Sequence, residues 1–148
     1  MIISGQPYIS VIFLFLSLVF DCVDGDLSRA RKKTTKRGYY LDGVLDRVID
    51  SLLVISIVVY YPDFLLLGIL VIFTGLLISY LRRMSESIGI KCNVGIAGRD
   101  LRLIILIIFI LFGHLVNGLL FYGFIFLIVI NSITVIHRFI YTYNKSEV

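Results

Sequence analysis

Four aspartates in the first third of the chain are spaced as the carboxylates of a metal site would be. Asp21 and Asp24 are three residues apart at the end of one apolar segment, and Asp42 and Asp46 are four residues apart near the start of the next. Either interval places both side chains on one face of a helix. Because a carboxylate at the edge of hydrocarbon is costly, four of them require a compensating partner. Carboxylate oxygens suit Mg²⁺ or Mn²⁺, so the sequence predicts a divalent-metal site on these four residues.

The elements that must position these acids are strongly apolar. Of the 148 residues, 59% are hydrophobic and 16% are charged, and the mean hydropathy is +0.99. A soluble domain has about a quarter of its residues charged. The composition therefore predicts an all-α, polytopic transmembrane helical bundle and argues against a soluble domain. The two cysteines are too few for a disulfide framework. The expected surroundings are a lipid bilayer, and no nucleic-acid partner is expected.

Near-continuous apolar runs predict five membrane-spanning helices, since about 20 helical residues cross a hydrocarbon core. The predicted spans are residues 2–20, 38–61, 64–82, 101–112 and 119–141. Pro62 and Asp63 predict a tight turn between the second and third spans. A basic connector separates the first two spans, and a polar connector separates the third from the fourth. One bundle accounts for these spans, so a single domain is predicted over residues 1–148.

The charged residues sort to one side of the predicted bundle. If five spans alternate sides, all 14 Lys and Arg residues lie at or near the side that holds both long connectors and the C-terminus. Nine of the ten acidic residues share that side, and Asp63 is the exception. The positive-inside rule then predicts an integral protein of the cell membrane with its N-terminus outside and its C-terminus inside. The active site is expected at the cytoplasmic face.

The aspartates belong to a longer pattern, D-x2-D-G-x2-[A]-R-x8-G-x3-D-x3-D, in which this chain has Ser28 at the alanine position. The pattern resembles the signature of the CDP-alcohol phosphatidyltransferases. The resemblance implies two divalent ions, Mg²⁺ or Mn²⁺, held by Asp21, Asp24, Asp42 and Asp46. It also implies that Asp46 is the general base for an acceptor hydroxyl, which attacks the β-phosphorus of a CDP-lipid and releases CMP. The residues that it assigns to the CDP-lipid are Asp24, Gly25, Ser28, Arg29, Gly38 and Asp42.

A second set of residues resembles the branch of this family that makes phosphatidylinositol phosphate or archaetidylinositol phosphate. Met84 and Gly98 depart from the pattern of that branch. The residues that the resemblance assigns to the acceptor phosphate are Ser79, Arg82, Arg99, Arg102 and Arg138. Arg99 and Arg102 are one helical turn apart, and the forked donors of guanidinium groups suit phosphate oxygens. Arginines at helix ends are also common membrane anchors, which stays the alternative for each of them.

The resemblance thus implies a phospholipid-synthesis enzyme that transfers a phosphatidyl-type group from CDP-diacylglycerol or CDP-archaeol to a small phosphorylated alcohol. Inositol 1-phosphate is the expected acceptor. Glycerol 3-phosphate is the alternative, because both are phosphomonoesters. A non-catalytic membrane subunit and a cation transporter are alternatives of other classes. A transporter would spread its acids through the depth of the membrane, and the sequence does not do so.

Members of this family usually have six transmembrane helices, and a homodimer is expected here from the resemblance. The chain starts close to the helix that ends in the aspartate motif. It is therefore expected to lack the first helix of the family. Loss of that helix would leave an outside N-terminus followed by five spans.

Overall fold

The computed structural model describes residues 35–96, 98–113 and 118–146, and all regular structure within these ranges is helical. Four helices follow one another: α1 (Lys36–Tyr60), α2 (Leu65–Ser87), α3 (Arg99–Gly113) and α4 (Leu119–Ser146), with a short 3-10 helix at Pro62–Phe64 between α1 and α2. They correspond to the second to fifth predicted spans, which confirms the all-α class. The first predicted span lies outside the described residues, and so do five predicted site residues: Asp21, Asp24, Gly25, Ser28 and Arg29.

The helix ends follow from local chemistry. α1 begins after Thr35, whose hydroxyl caps the first turn by accepting a hydrogen bond from the Gly38 N–H at 3.1 Å. α1 ends where Pro62 begins the 3-10 turn. α2 and α4 each run five residues past the expected ends, to 87 instead of 82 and to 146 instead of 141. At the C-terminal end of α2, Arg82 and Glu86 form an i,i+4 ion pair that stabilises the helix. These residues were predicted to belong to a connector because they are polar.

α4 packs against both α2 and α3, and α1 packs against α2. Glycines allow close approaches: Gly68 of α2 lies against Val58 of α1, and Gly123 of α4 lies against Phe109 of α3. The contacts enclose an apolar cluster to which all four helices contribute: Leu53, Val54, Ile57, Val71, Leu103, Leu106, Ile110, Leu120, Phe124 and Leu127. This cluster sets the relative positions of the helices that carry the candidate site.

Two segments of the described chain are long and apolar enough to cross a membrane, Pro62–Ser87 and Leu119–Ser146. The bundle buries 17% and 33% of their most apolar windows, so most of their apolar surface faces outward, unlike that of a soluble core helix. α1 carries charged residues, Asp46, Arg47 and Asp50, within its apolar part. α3 has 15 residues, which is about 22 Å of helix against a hydrocarbon core of about 30 Å. The structure thus supports two of the predicted spans, and five spans stays a prediction.

Candidate active site

Three aspartates lie on one face of α1, because they recur every four residues at positions 42, 46 and 50. Asp42 is exposed, whereas the Asp46 and Asp50 side chains are mostly covered and keep 15% and 25% of their surface exposed. Gly38 lies in the first turn of the same helix. α1 therefore carries Asp42 and Asp46, the described half of the predicted metal ligands, one helical turn apart.

Two guanidinium groups enclose the Asp46 carboxylate. Arg99, the first residue of α3, contacts Asp46 Oδ1 through Nη1 at 2.9 Å and Asp50 Oδ1 through Nε at 3.3 Å. Arg47 contacts Asp46 Oδ2 through Nη1 at 3.3 Å and donates to the Gly43 carbonyl at 3.0 Å. Both oxygens of Asp46 thus have a cationic partner, and α1 is joined to α3 through charge.

Arg102 lies one turn further along α3 and reaches α2 instead of α1. Its Nη1 donates to the Gly75 carbonyl at 3.1 Å, and the Ser79 hydroxyl donates to the same carbonyl at 3.3 Å. Gly75 makes the approach possible, because a Cβ at this position would lie 2.9 Å from Arg102 Nη1. The structure therefore places Ser79 beside Arg102, while Arg99 and Arg102 contact different helices.

Arg138 is buried where α4 meets α2 and the segment between α2 and α3. Its Nε donates to the Val94 carbonyl at 2.9 Å, and its Nη1 donates to the Ile78 carbonyl at 2.8 Å. Beside it, Gly95 adopts a φ of +112°, which few residues other than glycine tolerate. Backbone carbonyls thus accept hydrogen bonds from two of the nitrogen atoms of Arg138, a residue that was predicted to bind the acceptor phosphate.

Arg82 lies on the exposed side of the last turns of α2. Its Nε contacts Glu86 Oε1 at 2.9 Å, and half of its side-chain surface is exposed. Arg83 also contacts Glu86, at 3.8 Å. Of the five residues predicted to bind the acceptor phosphate, Arg82 is therefore the one held by a surface ion pair.

A cavity of about 50 Å³ lies between the helices, beside Arg102. Among the described residues, its polar lining is Arg47, Asp50, Ser51, Ser79, Arg102 and Asn131, and its other lining is Val54, Val71, Ile72, Gly75, Leu76, Leu103, Leu106 and Leu127. One water needs about 10–15 Å³ on this scale, so the cavity has room for several small groups. Among the described lining residues there are two arginines and one aspartate, so this part of the lining favours a small polar molecule with negative charge.

The donor chemistry of the acidic face fits a divalent cation. Carboxylate oxygens are the ligands that Mg²⁺ and Mn²⁺ prefer, and Asp42 and Asp46 present two carboxylates on one helix face. Within residues 35–96, 98–113 and 118–146 the structure contains no group of three or more His, Cys, Asp or Glu side chains that could hold a metal. Since both Asp46 oxygens contact arginines, a metal that binds Asp46 shares the lone pairs of this carboxylate with the guanidinium groups or competes with them.

Ser79 and Arg102 were predicted as site residues, whereas most of the described cavity lining, including Asp50, Gly75 and Asn131, was not. Asp50 continues the four-residue spacing of the aspartates, so its position on the acidic face was readable from the sequence. Asn131 is a polar residue in an apolar span, and such residues are candidates for function. The overall composition of the span does not reveal it. The role of Gly75 depends on a contact with another helix, and nothing in its local sequence indicates that contact.

The family model for CDP-alcohol phosphatidyltransferases matches residues 1–140. The chain belongs to this family. CDP-alcohol phosphatidyltransferases are integral membrane enzymes that use a divalent metal, a CDP-lipid donor and an alcohol acceptor. This membership confirms the predicted enzyme class and counts against the cation-transporter alternative.

Two curated relatives of this CDP-alcohol phosphatidyltransferase differ in the acceptor that they are named for. The chain is 36% identical over 143 residues to the archaetidylinositol phosphate synthase of Methanothermobacter thermautotrophicus, an alignment that covers 96% of this chain and 73% of that protein. It is 30% identical over 97 residues to the CDP-diacylglycerol–glycerol-3-phosphate 3-phosphatidyltransferase of Haemophilus influenzae, covering 64% of this chain and 52% of that protein.

The fold of this CDP-alcohol phosphatidyltransferase is similar to that of Mycobacterium tuberculosis phosphatidylinositol phosphate synthase. The crystal structure of that protein with CDP-DAG bound has a TM-score of 0.84 at 23% identity, and the match covers 95% of this chain and 75% of that one. A second crystal structure of it, in complex with manganese and citrate, has a TM-score of 0.83. At this identity the likeness concerns the fold.

Proposed function

We propose that this protein transfers a phosphatidyl-type group from a CDP-lipid to the hydroxyl of a small phosphorylated alcohol, and that inositol 1-phosphate is the acceptor. The observation that carries the proposal is the 2.9 Å contact between Asp46 and Arg99. Asp46 ends the pattern that resembles a CDP-lipid site, and Arg99 begins the pair that resembles an acceptor-phosphate site. A transfer reaction needs its two substrates side by side, and this contact brings the two patterns together.

In this proposal Arg99 and Arg102 bind the acceptor phosphate. They are one helical turn apart and present several charged donors, which suits the oxygens of a phosphate group. Arg99 leaves Asp46 when the phosphate arrives, because a phosphate dianion offers it more acceptor oxygens than the carboxylate does. Ser79 adds a hydroxyl beside Arg102. When Arg99 has left, Asp46 Oδ1 faces the acceptor hydroxyl.

Asp46 then accepts the proton of the acceptor hydroxyl as that oxygen attacks the β-phosphorus of the CDP-lipid. A P–O bond forms to the acceptor, the bond from the β-phosphorus to the CMP oxygen breaks, and CMP leaves with the electron pair. Asp21, Asp24, Asp42 and Asp46 would hold the divalent ions, which would supply the charge neutralisation that the pyrophosphate needs. Arg47 keeps its contact with Asp46 Oδ2 and so orients the carboxylate.

The same proposal assigns the donor lipid and the orientation of the enzyme. The CDP-lipid contacts residues of the signature pattern, namely Asp24, Gly25, Ser28, Arg29, Gly38 and Asp42. The site faces the cytoplasm, which the positive-inside rule supports, and the enzyme works as a homodimer. The identity of 36% to an archaetidylinositol phosphate synthase supports a phosphorylated inositol as the acceptor.

Glycerol 3-phosphate is the second candidate acceptor. It is favoured by the likeness to the Haemophilus influenzae enzyme, which is named for that acceptor. The arginines do not separate the two acceptors, because both present a phosphate monoester to the same guanidinium groups. The difference between them lies in the number of hydroxyl groups that the rest of the site must accommodate.

Release of CMP from the purified protein tests the proposal, with CDP-archaeol or CDP-diacylglycerol as donor, Mn²⁺, and either acceptor. We expect release that depends on inositol 1-phosphate and that falls by about 100-fold or more in Asp46→Asn, as for loss of a general base. Asp63→Asn is the matched control, because Asp63 is exposed in the 3-10 helix that follows the other end of α1. Release with glycerol 3-phosphate alone would select the second acceptor, and no release with either would contradict the proposal.

A further inference from the structure

Asn131, in the middle of α4, is a buried polar residue with a defined orientation. Its side chain is 1% exposed, and its Nδ2 donates to Thr74 Oγ1 of α2 at 3.0 Å. The Thr74 hydroxyl donates to the carbonyls of its own helix, Leu70 at 2.8 Å and Val71 at 3.2 Å, and in this arrangement its oxygen accepts from Asn131. The amide nitrogen of Asn131 therefore faces Thr74, and its oxygen faces away from it.

The Asn131 Oδ1 atom has no hydrogen-bond partner among the described residues. A buried acceptor without a donor is costly, and native proteins contain few of them. Asn131 also lines the cavity of about 50 Å³ between the helices. A buried acceptor without a partner and a space large enough for several small groups therefore coincide at this position.

The rest of the cavity lining shows which chemistry would satisfy this atom. Arg102 and Ser79 line the same cavity, so a ligand whose phosphate is held by the arginine can extend towards Asn131. Leu103, Leu106 and Leu127 supply aliphatic walls. A lining that combines donor and acceptor groups with aliphatic surface matches the hydroxyl groups and the C–H face of a polyol ring.

We propose that this cavity is a hydroxyl-binding subsite for the acceptor, in which Asn131 Oδ1 accepts a hydrogen bond from a hydroxyl that does not react. The inference rests on the proposed function and deepens it, since it makes Asn131 a residue that selects acceptors by their hydroxyl groups. An acceptor that lacks the matching hydroxyl leaves Oδ1 buried and unpaired. Sites built around such a hydrogen bond discriminate strongly against the analogue that lacks the hydroxyl.

The test compares inositol 1-phosphate with its singly deoxygenated analogues, using kcat/KM from CMP release. Acceptor binding is measured in parallel by isothermal titration calorimetry, so that a preparation without turnover still reports on the subsite. For the wild type we expect one analogue to lose at least about tenfold, the equivalent of one hydrogen bond. In Asn131→Leu that penalty should disappear, the KM for inositol 1-phosphate should rise, and the KM for the CDP-lipid should stay within about twofold.

Thr74→Val is the matched control, because it removes the same hydrogen bond between α2 and α4 but leaves Asn131 Oδ1 in place. We expect Thr74→Val to retain the discrimination between analogues. A wild type that uses or binds every deoxygenated analogue equally well would overturn the inference, whether or not the variants fold. An unchanged penalty in Asn131→Leu would also overturn it, as would an equal loss of discrimination in Thr74→Val. Absence of turnover with both acceptors would instead count against the proposed function.

Discussion

Arg99 and Arg138, which were both predicted to bind the acceptor phosphate, have different kinds of partner. Arg99 joins α3 to α1 through the Asp46 carboxylate, whereas Arg138 is held by the backbone carbonyls of Val94 and Ile78. Arg99 keeps 25% of its side-chain surface exposed, and Arg138 is 7% exposed. A carboxylate can be exchanged for another anion, but a backbone carbonyl stays in place unless the chain moves. Under the proposed function a substrate recruits Arg99, whereas the observed contacts of Arg138 join α4 to α2 and to the segment between α2 and α3.

The largest effect on stability is expected from removal of the carbonyl-held arginine. Arg138→Ala deletes two hydrogen bonds from a charged donor, so the free energy of unfolding should fall by roughly 3 kcal/mol or more. Arg138→Lys should recover part of the loss, because an ammonium group lacks the fork that spans two carbonyls. Denaturant unfolding in detergent measures both variants. A fully stable Arg138→Ala protein with a raised acceptor KM would show that Arg138 binds the acceptor, as Arg99 is proposed to do, and would contradict the difference between the two arginines.

A smaller effect, on metal binding, is expected at the carboxylate-held arginine. Arg99→Ala removes a cation that competes for Asp46, so Mn²⁺ affinity should rise by roughly fivefold, the equivalent of about 1 kcal/mol for an ion pair of this kind. Titration of the substrate-free protein with Mn²⁺, followed by electron paramagnetic resonance, measures the change. Arg99→Lys keeps the charge and should stay close to the wild type. Weaker Mn²⁺ binding in Arg99→Ala would mean that Arg99 positions Asp46 instead of competing for it.

The smallest effect is expected at Arg82, whose partner is exposed. Arg82→Ala removes an i,i+4 pair with Glu86, which contributes about 0.3–0.5 kcal/mol to stability. We expect the acceptor KM to change by less than about twofold, as in the control Lys91→Ala at an exposed position of the segment between α2 and α3. A tenfold rise in acceptor KM for Arg82→Ala alone would show that Arg82 leaves Glu86 to bind substrate.

The positions of the helices were readable from the sequence, because long apolar runs broken at Pro62 leave few other arrangements. The ends of α2 and α4 were not, since charged residues were assigned to connectors. Arg82 and Glu86 are polar, yet their four-residue spacing stabilises the helix that carries them. Hydropathy predicts which segments are buried in the membrane, whereas the ends of helices also depend on side-chain pairs and caps.

The candidate site was readable only in its local parts. The spacing of Asp42 and Asp46 predicts a shared helix face, and the spacing of Arg99 and Arg102 predicts a shared turn. The contacts between helices follow from packing, which local spacing does not encode. Arg102 contacts a carbonyl 27 positions away, and Arg138 contacts one 60 positions away. For this reason the sequence grouped together arginines that the fold gives different partners.

The segment between α2 and α3 also provides a marker for comparing related chains. Gly95 has a φ of +112°, and a Cβ there would lie 2.6 Å from Thr134 Cγ2 and 3.2 Å from Arg138 Nε. Both the backbone conformation and the lack of space select glycine at this position. Glycine here should therefore be inherited together with the buried arginine of α4. A relative that has lost one of the two while keeping the other is expected to route this segment along a different path.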